Sequence, residues 1–158
     1  MENKKSRNQP KQESPSQVEE PMVVYGGHTE PMSFLATLHP EQVQEKPLPG
    51  RALADIQRHT SLSAQVMADV IGVGKSKYYD LLKLADLGAK NVDALADFAN
   101  LWEAGLQAFD DNKEHLLEWL HTYNENLGGI LPVELLGSRL GRRELEKAFL
   151  RIEHSLYG

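Results

Sequence analysis

The chain has 158 residues, 41% of them hydrophobic and 25% charged, with a formal net charge of −6, which is enough apolar material for one good core or two small ones and too much for an intrinsically disordered chain. The absence of cysteine excludes disulfides, thiolate catalysis and sulfur-ligated zinc. The apolar runs are too short to span a bilayer, and the polar N-terminal stretch has no hydrophobic segment behind it, so neither a membrane span nor a signal peptide is expected and the protein is read as cytoplasmic.

Residues 1–22 are rich in Lys, Glu, Gln, Ser and Pro, a composition that predicts a disordered arm. Residues 23–50 hold Val23, Val24, Tyr25, Phe34, Leu35 and Leu38, but Gly26, Gly27 and the prolines at 31, 40, 47 and 49 break any long element. This predicts an irregular linker with one short helix around Met32–Leu38. Beyond Pro49 the apolar spacing turns helical. Leu53 and Ile56 begin it, Val66, Val70 and Ile71 continue it, and Tyr78, Leu81 and Leu82 follow. From Val92 to Phe109, the residues Leu95, Phe98, Ala99, Trp102, Leu106 and Phe109 recur at three- and four-residue steps, an amphipathic helix with large aromatics for the core. Asp111 and Glu114 read as a capping box opening a helix with Leu116, Leu117, Trp119 and Leu120. Pro132 suits the first turn of a short helix that Gly137 closes. The last helix, about Leu140 to Leu156, carries Leu145, Phe149, Ile152 and Leu156 as one stripe. No segment of strand period competes, so the expected fold is all-α, with a helix-turn-helix domain over 51–90 followed by a small helical domain over 91–158.

The stretch Ser63–Lys83 has the pattern of a DNA-reading helix pair. Ala68 sits where two helices cross closely, Gly72 supplies a turn residue with positive φ, and Val73, Tyr78 and Leu81 face the core. Lys75, Ser76, Lys77, Tyr79 and Lys83 are then the exposed candidates for phosphate and base contacts in a major groove. Residues 51–90 carry six basic and four acidic side chains, the one net-positive third of the chain; residues 1–50 carry five and seven, and residues 91–158 six and twelve. The same spacing also fits a helix pair that never touches DNA. Gly74 stands where Ser or Thr usually caps a recognition helix, and Asp80 puts a negative charge near the expected DNA face unless it pairs with Lys77 or Lys83.

Further along, Trp119-Leu120, Asn124-Glu125-Asn126-Leu127-Gly128-Gly129, Pro132-Val133-Glu134-Leu135-Leu136 and Arg151-Ile152-Glu153-His154 closely resemble the toxin-binding domain of the Xre/MbcA/ParS antitoxin family. The pattern of that family reads W-L, N-x-x-L-G-G, P-x-E-L-L and R-I-E-H-G. The resemblance covers residues 92–158 and extends in looser form through 51–90; residues 1–50 lie outside it. It implies an antitoxin that neutralises a cognate toxin, often an NAD-directed RES-domain protein, and represses its own operon by binding operator DNA. In such proteins the C-terminal helix docks at the toxin's active-site cleft, which makes Arg151, Glu153, His154 and, by its place at the chain end, Tyr157 the candidate toxin contacts. Ser155 replaces the usual Gly, and Tyr123 stands where a Pro often precedes the loop Asn. Without the family, Arg151 and Glu153 read first as members of intramolecular pairs and His154 as simply exposed.

Catalytic patterns are weak. The six histidines include no HExxH, and Gly72–Ser76 ends in GKS without the first glycine of a phosphate loop. Neither an enzyme nor a cofactor or metal site is expected. A homodimer is, since helix-turn-helix readers usually match a two-fold protein to a palindromic operator. The rival function is an orphan helix-turn-helix regulator without a toxin.

Overall fold

The computed structural model describes residues 23–43 and 45–157, apart from the side chains of Leu156 and Tyr157. The arm read over 1–22 lies outside the described residues, as does the Tyr157 side chain. The fold is all-α: seven α-helices and three short 3-10 helices, with two isolated bridges and no strand among the described residues.

The helices are α1 (Pro31–Ala36), α2 (Arg51–Thr60), α3 (Ala64–Ile71), α4 (Lys75–Leu81), α5 (Ala89–Ala108), α6 (Lys113–Leu120) and α7 (Arg139–Tyr157). The α5 helix, 20 residues long, is the axis of the molecule. It buries Val92, Leu95, Ala96, Phe98, Ala99, Leu101, Trp102, Gly105 and Ala108, apolar positions on more than one face, because α1, α3, α6 and α7 all pack against it. Residues from Tyr25 to Phe149 form a single apolar cluster to which both 51–90 and 91–157 contribute. Inside it the Trp102 Nε1 donor is buried without a hydrogen-bond partner among the described residues, a cost of about 1–3 kcal/mol that the surrounding apolar contacts offset.

The segment read as a linker is stitched to this core. Its helix spans Pro31–Ala36, with Pro31 in the first turn, and buries Met32, Phe34 and Leu35. Ahead of it Tyr25 and His28 bridge across Gly26 and Gly27, both at positive φ, and the Tyr25 hydroxyl donates to Asp55 Oδ2 at 2.6 Å. Asp55 also pairs with Arg58 at 3.0 Å, so α2 anchors the segment through a partly buried polar contact.

The Asp111–Glu114 capping box does not form. Asn112 is the cap of α6, its side-chain oxygen accepting from His115 N at 3.0 Å. The start moves by one residue because α5 ends at Ala108 and the chain reverses through Asp110 and Asp111, both at left-handed φ of 52° and 59°. Asp tolerates that region better than most residues. Beyond α6, Asn124 organises the loop: its side chain accepts from Asn126 N at 2.9 Å, and its backbone exchanges bonds with Ile130 and Gly129. Pro132–Gly137 is a 3-10 helix lying against α3 and α7, and Ser138 Oγ caps α7 by accepting from Gly141 N at 2.9 Å.

Candidate functional site

The first candidate surface is α4. Ser63 caps α3 by accepting from Val66 N at 3.2 Å; Gly72 closes α3 at φ 71°, and the backbone N–H of Gly72 and of Val73 return to Asp69 and Ala68. Ala68 is fully buried. The α4 helix then buries Tyr78 and Leu81. The Tyr78 hydroxyl donates to Gln57 Oε1 of α2 at 2.9 Å, and burial, together with the neighbouring Tyr79, pushes its pKa up to about 12. At the far end Gly50 N donates to Leu84 O at 2.8 Å. A methyl group at Gly50 would collide with Leu81 O and lie 2.7–2.8 Å from the Leu82 carbonyl. Two backbone contacts and one buried phenol therefore fix where α4 sits.

Lys75, Ser76, Lys77, Tyr79 and Lys83 are all exposed, with Tyr79 48% exposed beside a wholly buried Tyr78. At about 100° per residue, Lys75, Ser76 and Tyr79 share one arc of α4, whereas Lys77 lies roughly 200° from Lys75, beside buried Leu81. Lys83 lies past the helix end, in the turn after Leu82. Asp80 is exposed and, among the described residues, forms no ion pair with Lys77 or Lys83. The helix thus presents one cation and two hydroxyls on one arc, with the carboxylate of Asp80 beside Ser76 and Lys77 further around, groups that can meet phosphates and base edges.

The second candidate is a groove between the end of α6, the Asn124–Leu127 loop and α7, lined by Trp119, Asn124, Leu127, Arg151, Ile152 and Ser155 together with Asn126, Glu144 and Ala148. Each wall has a local cause. Trp119 is held by Phe149 and Phe109, with ring centroids 5.3 and 5.8 Å away. The loop turns back through Gly128 and Gly129, at φ 80° and 71°, which only glycine adopts cheaply. On α7 the residues Glu144, Ala148, Arg151, Ile152 and Ser155 recur at helical steps on one face. Lys147 Nζ donates to Glu144 Oε1 at 2.8 Å, and that bond, then the charges of Lys147 and Arg151, holds the Glu144 carboxyl below the usual range.

Of the four residues singled out for toxin contact, the structure brings Arg151 into the groove. Arg151 and Glu153 form no ion pairs among the described residues, so the intramolecular pairing considered for them is not made. His154 is exposed next to the groove face, while Glu153, half-buried, lies about 200° around the helix from Arg151. Glu144, Ala148 and Ser155 were missed as site residues, although their spacing with Arg151 was readable. No protein-family model and no curated protein matches the sequence. Among the described residues no helix is long and apolar enough to cross a membrane.

Proposed function

We propose that the chain is the antitoxin of a type II toxin–antitoxin pair: it binds and neutralises a cognate toxin, of the NAD-directed RES-domain class, through the α6–α7 groove, and represses its own operon as a cytoplasmic dimer that reads DNA with α4. The observation that carries the toxin half is convergence. Trp119, then Asn124 and Leu127, then Arg151 and Ile152 belong to three separate blocks of the Xre/MbcA/ParS resemblance, and all line one groove. An arginine, an indole face and amide groups around a concave surface are favoured anchors for a protein partner.

Co-expression with the product of the adjacent gene tests it. Neutralisation should fail for Arg151→Glu and for a deletion of residues 151–158, with the variant proteins still folded by circular dichroism. Full neutralisation by both would move the interface elsewhere. The DNA half is supported by an α4 that buries only Tyr78 and Leu81 and exposes Lys75, Ser76, Lys77 and Tyr79. In a gel shift with its own promoter at modest salt, Lys75→Ala and Tyr79→Ala should weaken binding more than Lys77→Ala, and each lysine removed should lower the salt slope by about one. No binding by the parent protein would remove this half and leave the toxin half standing. Promoter binding with no toxin beside it would favour the orphan regulator.

A further inference from the structure

The first turn of α7 carries Arg139 and Arg142 and no acidic residue, and Arg143 follows it. Helix stability alone favours the opposite, because the N-terminal end of a helix carries a partial positive charge and a cation there costs a few tenths of a kcal/mol or more. Burial and two hydrogen bonds account for Arg142, but Arg139 and Arg143 are exposed and stand against the local preference without such a gain, where function is the usual reason.

The three guanidiniums line a cleft of about 180 Å³ between α5 and α7, with Asp97, Asn100 and Glu146 as its polar neighbours. Arg142 is nine-tenths buried. Its Nε donates to Asp97 Oδ2 at 2.5 Å and its Nη1 to Leu136 O at 2.8 Å, which fixes the guanidinium plane and leaves the Nη2 donors without a protein partner among the described residues. Arg139 and Arg143 are exposed and form no ion pair among the described residues. Two carboxylates against three guanidiniums leave the cleft with one positive charge in excess, before the helix end is counted.

We infer that this cleft is a binding site for a phosphate group. One rigid guanidinium and two adjustable ones can present paired N–H donors to a tetrahedral oxyanion, and the volume admits such a group with its waters but not a nucleoside. The phosphate can come from a free phosphate ester or from a DNA backbone. Towards the turn ahead of α4, Gly72 and Val73 share a shallow cleft with Gly137 and Ser138, immediately before Arg139, and with the carboxylates of Asp69 and Glu134. The site itself does not depend on the DNA reading.

The test is a titration of the full chain with inorganic phosphate, ionic strength being held with chloride, followed by NMR on the arginine Nε–Hε and backbone amide signals. Saturable shifts should centre on Arg139, Arg142 and Arg143. Because each charge-assisted donor lost is worth a substantial factor, the double variant R139Q/R143Q should bind phosphate at least about tenfold more weakly, and R139K/R143K should fall between. Shifts that stay linear, or equal affinity in R139Q/R143Q, would overturn the inference. A short random duplex added to the phosphate-bound protein separates the sources. Displacement of phosphate, with a salt slope lowered by about two in R139Q/R143Q, assigns the group to DNA; saturable phosphate binding without displacement assigns it to a free ester.

Discussion

Gly50→Ala should be one of the most damaging small substitutions in the molecule. Gly50 has an ordinary helical φ of −54°, so backbone strain is not the issue; space is. An added methyl would meet Leu81 O and the Leu82 carbonyl, backbone atoms at the end of α4 that cannot rotate away. To reach ordinary contact, α4 and the Pro49–Arg51 backbone must part by about an ångström, which breaks the Gly50 N–H bond to Leu84 O and strains the Tyr78 bond to Gln57. Overpacking of this kind costs about 1–3 kcal/mol and a lost backbone hydrogen bond about 1 kcal/mol, together about 2–4 kcal/mol. For a chain of this size that is a fall in Tm of roughly 5–15 °C. Differential scanning calorimetry and urea unfolding would measure it, with Gly72→Asn as the contrast. Gly72 is left-handed but has nothing within 4 Å of a would-be Cβ, and Asn tolerates that region, so its loss should stay under about 1 kcal/mol. If Gly50→Ala melts within a degree or two of the parent, the close approach that positions α4 is wrong.

Three further outcomes follow from the geometry. Tyr78 and Tyr25 are both buried; burial raises the Tyr78 pKa to about 12, and burial followed by the hydrogen bond to Asp55 raises that of Tyr25 further. Folded-state values above the unfolded value mean that this stability is complete below about pH 10 and is lost as pH climbs through the folded values, so denaturant midpoints should hold up to pH 10 and then drop, and Tyr78→Phe should shallow the drop. Asn112→Ala should cost about 1 kcal/mol by urea unfolding, as the loss of a cap does, whereas Asp111→Asn, which keeps a residue tolerant of positive φ, should stay within about 0.5 kcal/mol. Phe149→Ala, removing the 3% exposed ring that holds Trp119 in the groove wall, should cost about 3–5 kcal/mol.

Periodicity made the long helices readable. The Leu95, Phe98, Trp102 stripe and the Leu145, Phe149 stripe both face the core, because an amphipathic helix needs only its own spacing to declare its buried side. Contacts between distant segments left no such trace. Tyr25 finds Asp55 across 30 residues and Arg142 finds Asp97 across 45, and neither partner is marked by its neighbours in sequence. The cap of α6 was misplaced because two consecutive aspartates each suit a cap and a left-handed turn, and only the geometry of the reversal decides between them. At the groove, residues from three sequence blocks share one lining, yet Glu153, grouped with Arg151 by adjacency in the motif, is not among them. Helical rotation sets the two on different sides.

The two tryptophans divide the molecule between them. Trp102 is 3% exposed, its indole N–H buried with no acceptor among the described residues, so its emission should lie far to the blue and move only when the core opens. Trp119 is half-buried in the groove wall against Phe109 and Phe149 and should emit further to the red, responding to whatever enters the groove. With Trp102→Phe and Trp119→Phe each isolating one emitter, the protein carries its own optical readout of global unfolding and of the occupancy of the groove, without an added label.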